Sequence, residues 1–274
     1  MQRTALVDIG INLAHDSYDH DRAEVVARAV AAGVERMVVT GSSLESAARA
    51  IAICRQWPGL MRATAGIHPH HAQDFAPGDL PALAALLEDP LVASAGECGL
   101  DYFRDFSPRD RQRQVFVQQL ELTASLHKPL FLHQRDAHDD FMTILGDYLP
   151  ALPRAVVHCF TGSAGELDHY LAAGLFVGIT GWICDERRGL AVRELVRVIP
   201  LDRLMIETDG PYLLPRNVLP KPGHRRNEPM YLRYVFDAVC EVRSEDREEI
   251  AVATTRNALK FFGFPDEGRT AAWA

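Results

Sequence analysis

The stretch Leu91-Val92-Ala93-Ser94-Ala95-Gly96-Glu97 is six apolar or small residues that end in a carboxylate. It is too short for a stable helix and lacks polar alternation, so it reads as a strand buried on both faces. The pattern recurs at residues 5–11, 36–40, 62–66, 129–132, 155–157, 175–179 and 204–206. Helical periodicity fills the intervals, at 20–32, 44–56, 80–88, 109–126, 141–148, 165–173 and 189–198. Two more helices, at 230–242 and 245–262, close the chain. Strands alternating with helices imply a parallel sheet, and eight strands favour a (β/α)8 barrel over an open doubly wound sheet. The predicted fold class is therefore α/β, a TIM barrel. A barrel needs roughly 250 residues, and the chain has 274. No linker, internal repeat or low-complexity tract divides it. Residues 1–274 are expected to form one domain, with 268–274 as a frayed tail.

Composition narrows the function. Hydrophobic residues make up 47% and charged residues 24%, ordinary values for a packed globular chain. Lys and Arg number 29 against 37 Asp and Glu, a net charge of −8. Such a chain does not coat duplex DNA or an anionic membrane non-specifically, although a local basic patch can still bind nucleic acid. The five cysteines are scattered, with no CxxC pair. That pattern suits a reducing cytoplasm and fits neither a disulfide framework nor a zinc knuckle. No signal peptide is expected at the N-terminus, and no apolar run reaches the length of about 18 residues that spans a membrane.

The strand ends carry the chemistry. In a parallel barrel the C-terminal ends of all strands open on one face, and that face holds the active site. Glu97 follows the run at 91–96, His133 follows 129–132, and His158 follows 155–157. Glu207, Thr208 and Asp209 follow 204–206. Each has a bland explanation alone, as a hydrogen-bonded core histidine or a turn carboxylate. Together they are harder to explain blandly, because burying several charged groups in one mouth is costly unless they are paired or bind metal. Two imidazoles with two carboxylates suit a divalent cation.

Weaker signals surround this set. In Gly66-Ile67-His68-Pro69-His70-His71, His68 lies nearest a strand end and can meet metal or phosphate, whereas a solvated loop explains His70 and His71 equally well. Arg187 and Arg188 follow the seventh strand, and Arg216, Lys221, Arg225 and Arg226 lie in a Pro-rich loop after the eighth. They form a candidate phosphate rim, with a solvated charge run as the equal alternative. Tyr102, Phe103, Trp182 and Tyr212 sit near strand ends, where rim packing and base stacking both fit. No G-x-S-x-G elbow, Walker A or G-x-G-x-x-G motif occurs.

Five segments then add a resemblance. They are Gly66-Ile-His-Pro-His70, Gly96-Glu-Cys-Gly-Leu-Asp-Tyr102, His133-Gln-Arg-Asp-Ala137, His158-Cys-Phe-Thr-Gly162 and Glu207-Thr-Asp-Gly-Pro-Tyr-Leu213. In order, and over essentially the whole chain, these segments resemble the signatures of the TatD family of metal-dependent nucleases. Asp8-Ile-Gly-Ile-Asn-Leu13 and the stretch 179–188 resemble the bacterial TatD branch more closely than its paralogues. The resemblance implies a barrel of the metal-dependent hydrolase type. It also implies 3′→5′ exonuclease activity on single-stranded DNA and RNA, supported by Mg2+, in the cytoplasm. Carried over by motif, Glu97, His133 and His158 are metal ligands. Asp209 binds metal or activates water, and His68 touches the ligands or the substrate. Most of the wider family opens with Asp-x-His-x-His; here the stretch is Asp8-Ile9-Gly10-Ile11-Asn12. Gly10 has no side chain and Asn12 offers only a weak oxygen ligand, so one metal rather than two is expected.

The expected reaction is metal-dependent phosphodiester hydrolysis with Glu97 and Asp209 as catalytic groups, Asp209 being the candidate general base. Arg187, Arg188, Arg225 and Arg226 are expected to hold phosphates of a single-stranded DNA or RNA. Two histidines with carboxylates suit Zn2+ or Mn2+, while a phosphate substrate favours Mg2+ or Mn2+. A monomer acting in DNA repair or RNA turnover would suit such an enzyme. Two other classes stay open: a metal-dependent ester or amide (aminoacyl-type) hydrolase, and a non-catalytic barrel that binds nucleic acid. Turnover of oligonucleotide against ester substrates separates the first, and metal content with turnover separates the second.

Overall fold

The computed structural model describes residues 5–265, so the tail expected at 268–274 lies outside the described residues. The strands are β1 (Leu6–Ile11), β2 (Val34–Val39), β3 (Met61–Ala65), β4 (Val92–Asp101), β5 (Leu130–Arg135), β6 (Ala155–Val157), β7 (Phe176–Ile179) and β8 (Leu204–Ile206). They pair in chain order and every pair is parallel. The ring meets itself at its C-terminal end. There Ile11 bridges Gly210, Asn12 N–H donates to Gly210 O at 2.8 Å, and Asp209 N–H donates to Gly10 O at 2.8 Å. Lower in the same seam, Asp8 accepts the Thr208 N–H at 2.9 Å and the Thr208 hydroxyl. The predicted barrel is the fold found.

Helices α1 (Arg22–Ala31), α2 (Leu44–Cys54), α3 (Leu80–Glu88), α4 (Arg109–Leu126), α5 (His138–Tyr148), α6 (Ala164–Ala172) and α7 (Leu190–Val196) alternate with the strands, and α8 (Leu232–Val242) and α9 (Arg247–Phe261) follow β8. Local chemistry sets several of their ends. Ser43 and Ser46 form a reciprocal cap on α2, as Ser163 and Glu166 do on α6, each satisfying N–H groups that the first turn leaves free. The last turn of α4 closes on His127 in the left-handed conformation, φ 49°.

Two strands run past their apolar stretches. β4 continues through Asp101 and β5 through Arg135, because Cys98, Gly99, Leu100 and Asp101 keep pairing with Leu132, His133, Gln134 and Arg135. Glu97 and His133 therefore stand inside strands rather than just beyond them. An apolar run stops at the first inward polar residue, whereas backbone pairing does not. Val7, Ile9, Val38, Phe131, Val156 and Met205, from five strands, meet in one cluster with Phe261, Phe262 and Phe264. Side chains from such distant strands can meet only inside the ring, so the end of α9 plugs the barrel. Phe131 also packs on His158, its ring 4.7 Å away, and forms a dry floor beneath the polar mouth.

Candidate active site

Glu97 is the hub of the mouth. Its Oε1 lies 2.7 Å from His158 Nε2 at the end of β6, 3.0 Å from His133 Nδ1 on β5, and 3.2 Å from His68 Nε2 beyond β3. The two imidazole atoms His133 Nδ1 and His158 Nε2 are 3.3 Å apart. Close passage of β4 makes this possible. A Cβ on Gly96, whose φ is +119°, would sit 2.0 Å from Phe131 O on the neighbouring strand, so only glycine fits just before Glu97.

Register places the next group. His133 stands opposite Gly99, midway between Glu97 and Asp101. Residues at i and i+4 of a strand share a face, so the two carboxylates flank the imidazole. Its Nε2 lies 3.3 Å from Asp101 Oδ2, which also meets His70 Nε2 at 2.8 Å. Asp101 Oδ1 accepts the backbone N–H groups of Phe103 at 3.0 Å and Arg104 at 2.8 Å.

Glu207 lies beneath the hub with no exposed surface. Its Oε1 accepts the Cys159 N–H at 2.5 Å, and its Oε2 is 3.4 Å from His158 Nδ1. Among the described residues, neither Glu207 Oε2 nor His158 Nδ1 has a hydrogen-bond partner, so the two buried atoms face each other only as an ion pair. Two glycines make room for this carboxylate. A Cβ on Gly10 would sit 2.3 Å from Glu207 Oε2, and one on Gly178 would sit 2.7 Å from Oε1. The space that a strand-one side chain would take at position 10 is thus filled from β8. Asp209, in the left-handed conformation at φ 54°, is held by the Asn12 amide, which donates to its Oδ1 at 3.1 Å and to Gly210 O at 3.1 Å.

The electrostatics follow from burial and close pairing. Burial pushes the Glu97 carboxyl up, but the His158 and His68 charges and the hydrogen bonds from His133 and His158 outweigh it and hold the group well below the carboxylate range. Burial alone would lower His158, yet Glu97 and Glu207 raise it well above an ordinary imidazole. His133 is raised too, Asp101 and Glu97 outweighing its burial. His68 goes the other way, burial pulling it to about 4. Asp209 is pushed up to about 7, by burial first, then by the Glu97 and Glu207 charges against the opposing His158.

The donor set fits a divalent cation. His68, Glu97 and His133 offer ligand atoms all within 4.8 Å of one another. Glu97 Oε1, His133 Nδ1 and His158 Nε2 are spaced closely enough for one ion to touch all three at about 2.0–2.2 Å. A buried carboxylate behind a ligating imidazole is the usual way such a ring is oriented, and Glu207 occupies that place behind His158.

The structure therefore brings Glu97, His133, His158 and His68 together, with Asp209 within reach of the Glu97 and His158 charges. The predicted basic rim divides. Arg187, Arg188 and Arg225 are exposed, the first two with backbone N–H groups bound to Asp185 Oδ1 at 2.9 Å. Arg226 is instead engaged by Asp21 at 2.6 Å and Glu228 at 2.8 Å, above the Tyr18 ring, and so ties the β8 loop to α1. Sequence reading assigns no role to Asp101 or Glu207 and leaves His70 open. Asp101 carried a findable signal, its i+4 spacing from Glu97 on a strand. Glu207 carried none beyond its place in a strand-end motif.

Known proteins supply the remaining comparison. A family model described as TatD related DNase matches residues 7–263. The chain is 48% identical over 258 residues to a protein from Erwinia amylovora named 3′-5′ ssDNA/RNA exonuclease TatD, covering 94% of this chain and 100% of that one. A protein of the same name from Salmonella typhimurium is 45% identical over 257 residues, covering 94% and 98%. The crystal structure of a TatD homologue from Escherichia coli K12 shares the fold with a TM-score of 0.87 at 29% identity, covering 96% of this chain and 100% of that one. With a barrel whose strand ends gather Glu97 and its histidines, and with relatives matched along nearly its whole length, the chain belongs to the TatD-related DNase family.

Proposed function

We propose that this protein is a metal-dependent 3′→5′ exonuclease acting on single-stranded DNA and RNA as a single-domain monomer. The observation that carries the reading is the triangle of Glu97 Oε1, His133 Nδ1 and His158 Nε2, with edges of 2.7, 3.0 and 3.3 Å, in the barrel mouth. Strand polarity and the choice of nucleic acid come from the names of the 45–48% identical relatives. Glu97, His133, His158 and Asp209 would hold Mg2+, or Mn2+ or Zn2+ in its place, and His68 would meet the metal or the scissile phosphate. When bound, the cation supplies Lewis-acid stabilisation of the phosphoryl oxygens.

The protein groups do the rest. Asp209 takes a proton from the attacking water, its oxygen aimed by the Asn12 amide. Glu207 fixes the His158 ring through Nδ1 and leaves Nε2 for the ligand side. Arg187, Arg188 and Arg225 hold phosphates further along the strand, and Arg226 keeps the β8 loop in place for them. Among the described residues no helix is long and apolar enough to cross a membrane, and the five cysteines are free thiols, which suits a reducing cytoplasm.

The test is degradation of a 5′-labelled single-stranded oligonucleotide with Mg2+, Mn2+, Zn2+ or EDTA. A Glu97→Ala His133→Ala variant and a panel of ester and aminoacyl substrates run alongside. A ladder of shortening products that requires metal and is lost in the variant is expected. An intact oligonucleotide under every metal overturns the reading, and turnover of the esters alone would replace it.

A further inference from the structure

Among the described residues, three aromatic side chains are more than half exposed: Phe103 at 56%, Phe106 at 60% and Tyr212 at 54%. All three stand on loops at the barrel mouth, two of them on the loop between β4 and α4. Exposed single apolar residues are common on any surface, but here all three large rings stand on the same end of the barrel, that of the strand C-termini. Phe106 packs against His70, ring centres 4.7 Å apart, directly beside the Asp101–His133 contact. Phe103 has the Arg135 guanidinium 5.0 Å from its ring centre and that of Arg104 at 5.5 Å.

The loop that carries the two phenylalanines is fixed at both ends. Asp101 Oδ1 binds the N–H groups of Phe103 and Arg104. Fully buried Ser107 donates to His70 O and accepts the Gln73 N–H, both at 3.0 Å, while Gln112 donates to Ser107 O at 2.8 Å. The backbone thus holds both rings in water next to the ligand cluster.

We propose that Phe103 and Phe106, with Tyr212 across the mouth, form a stacking surface for the unpaired bases of the substrate strand, and that Arg104 and Arg135 hold its adjoining phosphates. The proposal rests on the nuclease reading and adds the means of selecting a single strand. Inside a duplex each base is stacked between its neighbours and has no free face, whereas a single strand can turn successive bases onto aromatic rings, and cations beside the ring complement the phosphate that follows. Such stacking tolerates every base, because each has an aromatic face.

The experiment compares kcat/KM on a 5′-labelled single strand with kcat/KM on the same strand carrying abasic sites in its 3′-terminal stretch. Wild type is expected to prefer the base-bearing strand. Phe103→Ala and Phe106→Ala are each expected to reduce that preference about tenfold, through KM rather than kcat. Phe106→Trp should restore it and Phe106→Leu should not, with thermal unfolding confirming that each variant is folded. An unchanged preference in the Phe103→Ala Phe106→Ala double variant overturns the proposal. So does full rescue by leucine, which would make the rings plain apolar contacts, as for a protein partner. Wild type that cleaves both strands equally overturns the stacking surface alone. Wild type that cleaves neither overturns the nuclease reading beneath it.

Discussion

A single methyl group added at Gly10 should destabilise this protein far more than Gly→Ala usually does on a strand. Gly10 is not in the left-handed region, so alanine meets no backbone obstacle and would ordinarily add a few tenths to about 1 kcal/mol of stability. The obstacle is Glu207. The new Cβ would lie 2.3 Å from Glu207 Oε2 and 3.1 Å from Phe131 Cζ. The carboxylate has little room to retreat, since its other oxygen abuts Gly178 and binds the Cys159 N–H. Overpacking a buried site costs about 1–3 kcal/mol, and losing a hydrogen bond to a charged group about 1.5–3 kcal/mol. A total of about 3–5 kcal/mol would lower Tm by roughly 10 °C in a chain of this size. Calorimetry on Gly10→Ala, Glu207→Ala and the double variant checks the cause. Once Glu207 is truncated the clash is gone, so the methyl should then cost almost nothing, a coupling as large as the single-variant loss of about 3–5 kcal/mol. Additive losses, or a Gly10→Ala protein as stable as wild type, would refute the claim that Glu207 fills the place of a strand-one side chain.

Other consequences follow from the same contacts. Glu207→Gln should weaken Mn2+ or Zn2+ binding about 10–100-fold in isothermal titration, since the orienting charge behind His158 is removed. Asp8→Ala opens the β1–β8 seam at its Thr208 contacts; it should cost about 3 kcal/mol, read as a lower urea midpoint at unchanged m-value. Asp21 is held at about 2, chiefly by the hydrogen bond from Arg226. A depressed carboxylate stabilises the fold above its unfolded value near 3.9 and loses that effect as pH falls toward 2. Wild type should therefore lose more stability than Asp21→Asn between about pH 4 and pH 2, and parallel pH profiles would exclude the ion pair. Arg187→Ala with Arg188→Ala should reduce the salt dependence of single-strand binding by about 0.7 in log–log slope for each phosphate that is no longer neutralised. An unchanged slope would place both arginines off the nucleic-acid path.

Much of the fold was legible because its signals are local. Each strand is a short apolar run buried on both faces, and each interval carries a helical period; α3 and α4 begin and end where the pattern does. The gathering of Glu97, His133, His158 and Asp209 toward the barrel mouth follows from the same reading, since a parallel barrel turns the C-terminal parts of all its strands to one face. Strand lengths were less legible. β4 and β5 extend past their apolar runs because pairing persists after side chains turn polar.

The rest depends on contacts between residues far apart in the chain, which no local pattern encodes. Register alone sets His133 between Glu97 and Asp101 and so draws His70 into the cluster. Closure of the ring brings Gly10 to Glu207 and Asn12 to Asp209. These contacts explain what the glycine and asparagine on β1 do, where sequence alone showed only that histidines were missing. Arg226 looked like its neighbour Arg225 in the sequence, yet Asp21, on the other side of the seam, takes it for the scaffold. Composition and periodicity determined which elements form and which face is active. Tertiary structure decided which side chains touch, because a polar group's role is set by the partners that packing brings within hydrogen-bond distance.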